Sequence, residues 1–334
     1  MKCFFRKLIL CTIALAVLCV TGAGAEWKEL YDDQFAQQFQ LKSLKERMLS
    51  SSVEMDNKLY SLMGDGTVYS CDLATSQFEI ISRVAAFPDV DMEKPYRTQD
   101  KATKEALANA VTRLIPSADD SHILYGLNQM TGALGRIDEE GVHFQETTID
   151  SSVFFYDKSD YPERLFKAPE IKNGYLEGYT VLDPEANACL TWLSFSLADG
   201  SCTKVNLPGA FQICRWKDDY LLAAVLKDGK AELVVYDKDG KEMDVLGIAL
   251  PNEDEIKGTS FYDLTETAGP LAYDESSGMI YYLDNQHLWK SNGTETFEAV
   301  DGPADNMLIE ALNMIVSSDG NTIVYGMKSR TDFQ

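Results

Sequence analysis

Between Asp219 and Leu246 the chain reads DYLLAAVLKDGKAELVVYDKDGKEMDVL. Three β-prone runs, Tyr220–Leu226, Ala231–Tyr236 and Glu242–Leu246, are separated by Asp228-Gly229 and Asp239-Gly240. Glycine takes positive φ without steric cost, so Asp-Gly between such runs is a strong hairpin signal. The stretch predicts a three-stranded antiparallel meander. The unit recurs along the chain, and the recurrence limits what the chain can fold into.

The first full repeat runs Met48–Val53, Lys58–Met63, Thr67–Cys71 and Gln77–Ile81, with a turn at Gly64-Asp65-Gly66. The second is Val111–Pro116, His122–Leu127, Ala133–Asp138 and His143–Ile149. A third holds Tyr175–Leu182, Cys189–Leu197 and Ser201–Leu207, with turns at Asp183-Pro184 and Asp199-Gly200. Phe211–Trp216 opens a fourth, which continues into the stretch above. The fifth is Leu271–Asp274, Met279–Leu283, His287–Lys290 and Thr296–Val300; the sixth begins at Leu312–Ser317 and Thr322–Met327. Second strands recur at spacings of about 42 to 64 residues, near 40–45 once insertions are removed. Four short strands joined by tight turns make a propeller blade. A blade cannot bury its apolar faces alone, so blades must stack into a ring. The expectation is an all-β fold, a β-propeller of four-stranded antiparallel blades, six in number with five to seven allowed. The last blade is expected to be incomplete, or closed by an N-terminal strand, for which the alternating Phe39–Leu44 is the candidate. Trp27–Gln38 holds a short helical stretch.

Leu124-Tyr125-Gly126-Leu127-Asn128-Gln129-Met130-Thr131-Gly132-Ala133-Leu134 resembles the strand–turn–strand line of secreted bacterial propellers of the quinoprotein-like or YVTN-like type. The hairpin lines starting at Lys58, His122, Asp219 and Gly278 share that likeness, which covers most of residues 45–327. The chain is also similar to propeller segments of large exported solute-binding proteins. Quinoprotein dehydrogenase blades follow this line with a tryptophan; here Gly135-Arg136-Ile137 stands instead, which argues against a pyrroloquinoline cofactor. The motifs are turn and strand signals, so the resemblance implies architecture without chemistry.

The first 25 residues read as a signal peptide. Lys2, Arg6 and Lys7 form a positive n-region, Leu8–Val20 an apolar run, and Ala23-Gly24-Ala25 a small-x-small cleavage site. Cleavage is expected between Ala25 and Glu26, with export and a single domain over 26–334. No other apolar run is long enough to span a bilayer. Neither Cys11 nor Cys19 follows the small residue a lipoprotein signal needs. Losing the peptide removes three positive charges and no acid, taking the formal charge from −23 to −26. Such a surface disfavours nucleic acid.

Four cysteines remain after cleavage: Cys71, Cys189, Cys202 and Cys214. Their spacings match no zinc pattern. One bridge among the last three, or buried free thiols, are both compatible with export. His122, His143 and His287 are scattered, and no Gly-x-Ser-x-Gly elbow, P-loop or dinucleotide fingerprint occurs. Asp237-x-Asp239-Gly240 could open a calcium loop, but Lys238, Lys241 and missing ligands favour a hairpin turn. Trp192, Trp216 and Trp289 could line a carbohydrate or peptide site, though their place in strands favours core packing. Asn292-Gly293-Thr294 is a glycosylation sequon or a plain turn.

Three inserted segments interrupt the repeats: 86–110, with a helix over Asp100–Ala110; 151–169, rich in aromatics; and 251–270, acidic. Propeller ligands commonly sit on loops at one face of the ring, so these are the candidate contact segments, the first two close together. No catalytic, cofactor or metal residue is singled out. The expected function is a secreted, monomeric, non-enzymatic module binding a protein, peptide or carbohydrate. The alternative is an enzyme on the same scaffold, carbohydrate-active or quinoprotein-related.

Overall fold

The computed structural model describes residues 14–19, 26–47, 49–90, 94–120, 122–155, 160–162, 166–181, 189–217, 220–251, 253–258, 271–283, 288–300, 309–316 and 322–329. The Ala25–Glu26 cleavage site, the turns expected at 183–184, 284–285 and 319–321, and most of segment 251–270 lie wholly or partly outside the described residues.

The chain enters through β1 (Ala14–Cys19) and β2 (Glu26–Glu29), then helices α1 (Asp33–Gln38) and α2 (Leu44–Arg47). Five four-stranded antiparallel blades follow, each built from consecutive strands. Blade one is β3 (Leu49–Met55), β4 (Lys58–Met63), β5 (Thr67–Asp72) and β6 (Phe78–Arg83). Helix α3 (Lys101–Asn109) leads into blade two, β7 (Arg113–Pro116), β8 (Leu124–Leu127), β9 (Ala133–Asp138) and β10 (Gly141–Thr148). Blade three is β11 (Lys167–Lys172), β12 (Tyr175–Val181), β13 (Cys189–Ser196) and β14 (Cys202–Pro208). Blade four is β15 (Ala210–Trp216), β16 (Tyr220–Lys227), β17 (Lys230–Asp237) and β18 (Glu242–Ala249). After α4 (Glu253–Gly258), blade five is β19 (Leu271–Asp274), β20 (Met279–Leu283), β21 (Leu288–Ser291) and β22 (Glu298–Val300). The chain returns in β23 (Ile309–Val316) and β24 (Thr322–Ser329).

Five self-contained blades replace the six expected. The remaining strands form a composite sheet from both ends of the chain, in the order β2-β1-β24-β23. It is an intact four-stranded sheet, and β1 pairs with β24 from Ala14↔Met327 to Cys19↔Thr322. The closing strand is therefore not Phe39–Leu44. Phe39 caps α1, Gln40 takes a φ of 55°, and Leu41 donates its N–H to the Ala36 carbonyl at 2.9 Å. Those bonds are a Schellman cap. The alternating pattern there reflects Phe39 and Leu41 packing under blade one beside Phe35 and Tyr69. Strand β1 lies inside the segment read as a signal peptide.

First strands of successive blades run side by side around the centre: β3 beside β7, β7 beside β11, β15 beside β19, β19 beside β23, and β23 back beside β3. A parallel bridge, Ser117↔Ile171, links the inner strands of blades two and three. Apolar side chains alternate out of each pleated sheet and meet those of the next blade. Leu62 and Val68 of blade one pack with Leu114 and Leu124 of blade two. Leu127 and Leu134 meet Leu176, Leu193 and Phe195 of blade three. Leu190 and Leu207 meet Leu221 and Val234 of blade four, and Leu222 and Leu233 meet Ile280 and Tyr282 of blade five. The cores are thus between blades, as a stacked repeat requires.

The Asn128 turn forms as its sequence predicts. Asn128 Oδ1 accepts from the N–H groups of Met130 and Thr131, and Gly132 has a φ of 76°. A side chain at Gly132 would collide with the Ile149 carbonyl. Asn128 also donates Nδ2 to the carbonyls of Leu107 and Ala108, at 2.8 and 3.1 Å, fixing the end of α3. Asp100 caps the start of that helix by accepting from Thr103 N–H.

The inserted segments are anchored rather than free. Leu107, Phe154, Phe166 and Ile256 are buried. Segment 151–169 ends earlier than expected, because Lys167–Pro169 already belong to β11. Its Tyr161 hydroxyl accepts from Gln99 Nε2 at 2.8 Å, so the first two insertions do touch. Among the described residues, no helix is long and apolar enough to cross a membrane.

Candidate functional site

The strongest constellation of polar and aromatic groups lies where blades three and four meet, on the face bearing the turns between first and second strands. Strand β11 ends in Lys172 and reverses through Asn173-Gly174, whose φ values of 53° and 77° give a type I′ hairpin turn. The turn is clamped by blade two: Asp119 accepts from the N–H groups of Asn173 at 2.8 Å and Gly174 at 3.4 Å. Strand β12 then starts with Tyr175 and carries Glu177. Strand β13 supplies Trp192 and Ser194, β15 ends in Arg215-Trp216, and Tyr220 begins β16.

Together Lys172, Asn173, Tyr175, Glu177, Trp192 and Arg215, with Ser194, Tyr220, Leu221 and Lys238, line a cleft of about 320 Å³. Its centre is Arg215. The guanidinium pairs with Glu170 through Nε and with Glu177 through Nη2, the latter at 2.6 Å. Its carbon lies 5.4 Å from the centre of the buried Trp192 ring, within cation–π range. Ser194 donates its hydroxyl to Glu177 Oε1 at 3.1 Å. Below, the buried Tyr179 hydroxyl donates to Gln212 Oε1 at 3.1 Å and ties the two blades together. Arg215 therefore has no freedom to swing, because two carboxylates, an indole face and two blade cores fix it.

The rim differs from the floor. Tyr175 and Tyr220 are 46% and 40% exposed, and only four large hydrophobic side chains are that exposed among the described residues. Lys238, in the hairpin turn between β17 and β18, is exposed. That turn is the ordinary one favoured by its sequence: Asp237 Oδ1 accepts from the N–H groups of Asp239 and Lys241.

The other residues raised by sequence fall elsewhere. Trp216 packs on Tyr273 of blade five with ring centres 4.3 Å apart, and Trp289 packs against the same core. Trp192 is core as well, but one face serves Arg215. Cys71, Cys202 and Cys214 are free thiols; the Cys189 side chain lies outside the described set. Burial pushes the Cys214 thiol well above its ordinary pKa, and that of Cys202 up to about 11. Asn292 forms a turn by accepting from Thr294 and Glu295 N–H. No cluster of three metal-ligating side chains occurs among the described residues.

Sequence reasoning missed this cleft because its parts come from separate strands, and Glu177 and Arg215 are 38 residues apart. One signal was present. In Ala210-Phe211-Gln212-Ile213-Cys214-Arg215-Trp216, an arginine interrupts an inner strand that is otherwise nearly apolar.

No protein-family model matches the chain, and no curated protein does. Among solved structures it is similar to the extracellular domain of a hybrid two-component system from B. thetaiotaomicron, with 13% identity and a TM-score of 0.43. That match covers 91% of this chain and 36% of the other, so the chain spans about a third of that protein. It is also similar to U3-55K (8% identity, 84% of this chain and 95% of that one, TM-score 0.43) and to BamB from Moraxella catarrhalis (9%, 83% and 71%, TM-score 0.36). These likenesses carry no functional information. The chain is a β-propeller by its own strand order: repeated four-stranded antiparallel sheets with their first strands arranged around a centre.

Proposed function

We propose that the protein is an exported, non-enzymatic binding module that takes its ligand in the cleft between blades three and four. The observation carrying this reading is Arg215, immobilised by Glu170, Glu177 and Trp192 beneath a rim holding two exposed tyrosines. Rigid polar floors with aromatic rims suit recognition, since little side-chain entropy is lost on binding. Glu177, the carboxylate that lines the cleft, and Glu170 beside it are both committed to Arg215. A glycosidase needs one carboxyl free to donate a proton and the other free to attack or to activate water. That commitment favours binding over catalysis at this place. Export rests on the positive n-region, apolar run and Ala23-Gly24-Ala25 of the leader.

The test is a titration of the purified protein against oligosaccharide and peptide panels, followed by tryptophan fluorescence and calorimetry. Binding that Tyr175→Ala and Tyr220→Ala each weaken supports the cleft. Binding unaffected by either variant moves the site elsewhere, and turnover of a bound sugar refutes the non-enzymatic reading.

A further inference from the structure

We infer that Arg113 is the anchor of a second site, which takes a carboxylate or phosphate group at the seam of blades two and three. The site is independent of the cleft. The cleft lies among the turns that follow the inner strands, whereas Arg113 begins an inner strand, on the face where the inserted segments 86–110 and 151–169 arrive. Inner strands begin with Leu49, Ala210 and Leu271 in blades one, four and five, and all three side chains are buried. Blades two and three begin with Arg113 and Lys167 instead. Counting back along both strands from the Ser117↔Ile171 bridge brings these two starts near one level. Leu114 and Ile115 are buried towards blades one and three respectively. Alternation turns Arg113 the way of Ile115, to the seam with blade three. Packing alone gives no reason for a charge there, since the other blades begin with an apolar side chain.

The bonds that hold Arg113 leave its fork open. Nε donates to Gln129 Oε1 at 3.3 Å, and the buried Gln129 is itself fixed by its N–H to Thr112 Oγ1 at 3.0 Å. Among the described residues the two terminal nitrogens of Arg113 make no hydrogen bond or ion pair. Burial alone lowers this part-buried guanidinium to about 10, and no acid opposes the shift. Arg215, by contrast, sits between two carboxylates. The described acids of this face are engaged elsewhere or exposed. Asp89 pairs with Lys45 and Glu105 with Lys101, while Asp65, Asp100 and Asp150 accept from Thr67, Thr103 and Ser152. Glu46 accepts from Lys42 and Ser43, and Asp160 is exposed. Asp91, Glu93, Asp157 and Glu163 lie outside the described residues. Lys167 has contacts of its own, so the assignment rests on Arg113. A part-buried guanidinium without a counter-charge is a cost the fold carries until an anion arrives. With Nε held by Gln129, the end-on pair of terminal nitrogens remains, and its spacing matches two oxygens of a carboxylate or phosphate.

The test is a set of thermal melts of the full chain in sodium phosphate, sodium acetate and sodium chloride at matched ionic strength. Phosphate or acetate should raise the melting temperature above that in chloride, because an anion that binds only the folded chain stabilises it. The larger rise tells which of the two groups the site takes. Arg113→Gln should lose that rise yet melt at or above the wild-type temperature in chloride, since it removes a charge that nothing neutralises. Arg113→Lys keeps the charge without the fork and should bind about tenfold more weakly. Lys101→Gln, an exposed cation in α3 on the same face, should respond as wild type does. The site is refuted if neither anion exceeds chloride, or if the rise survives Arg113→Gln. Arg113→Gln melting several degrees below wild type in chloride also overturns it, by showing that the charge is neutralised within the chain.

Discussion

Arg215 Nη2 lies 2.6 Å from Glu177 Oε2, and this contact joins blade four to blade three. Glu170 takes the other side of the same guanidinium, and all three side chains are about three-quarters buried. Removing the cation from such a triad leaves two carboxylates facing each other with poor solvent access. Arg215→Met should therefore cost about 2–3 kcal/mol. Arg215→Lys keeps the charge but loses the planar fork, so it should recover only part of that stability. Urea unfolding of the three proteins measures both effects. The lysine variant matching wild type would mean that the fork geometry contributes nothing.

Asn128 ties an insertion to the frame. Its amide donates to Leu107 and Ala108, while its oxygen holds the turn at Met130 and Thr131. Asn128→Asp retains the turn but replaces the donor with a second acceptor facing two carbonyls. It should destabilise by about 2 kcal/mol, the cost of leaving buried acceptors unpaired. Hydrogen exchange should accelerate in Lys101–Asn109 before it does in β8 or β9. Uniform acceleration across blade two would contradict the anchoring role.

Stability should fall in acid through turn aspartates. Asp72 is held below the ordinary aspartate pKa of 3.8 by the Thr75 N–H, and Asp150 by hydrogen bonding to Ser152. Asp100 and Asp199 are lowered by Thr103 and Ser201. A carboxylate with a depressed folded pKa stabilises above its unfolded value and loses that contribution as pH falls through the folded value. The melting temperature should thus be level from pH 7 to about 5 and drop below 3.8. Asp150→Asn should shrink the drop. A melting temperature unchanged down to pH 2.5 would contradict the assignment.

The composite sheet makes a prediction about the N-terminus. Strand β1 carries every backbone bond between β2 and β24, and it lies within the segment read as a leader. A protein beginning at Glu26 should melt about 2 °C below the full chain, which corresponds to a loss of about 1–2 kcal/mol at this size. Its hydrogen exchange should rise first in Thr322–Ser329. Equal stability of the two forms would show that another segment pairs with β24 once Ala14–Cys19 is gone.

Much of the frame was legible because it is written locally. Alternation and Asp-Gly turns mark β15–β17 within a residue and the start of β18, and the Asn128 turn forms as its residue types require. Strand β11 was hidden because Lys167-Ala168-Pro169-Glu170 is charged and proline-broken. It pairs with β12 across a register shift, and Ala168 sits at a φ of 46°. Phe39–Leu44 misled for the opposite reason: its alternation is real, but packing against Phe35 and Tyr69 produces it without a sheet. The cleft was illegible because no local period encodes a meeting of β11, β12, β13 and β15. Blade stacking creates it, and stacking depends on contacts distant in sequence.

In the full chain, with the leader still attached, the composite sheet also sets the order of events in folding. Each self-contained blade needs only contacts within a few tens of residues, whereas β1 and β24 meet across about three hundred. Closing so long a loop adds little to the equilibrium cost, since that cost grows only with the logarithm of length, but it delays the event relative to local hairpins. The five blades should therefore assemble first as an open arc, with the junction of the two ends forming last. By the same reasoning the junction is where the ring reopens under stress. The lifetime of the closed ring is then governed by two strands at the chain ends rather than by the larger cores between blades.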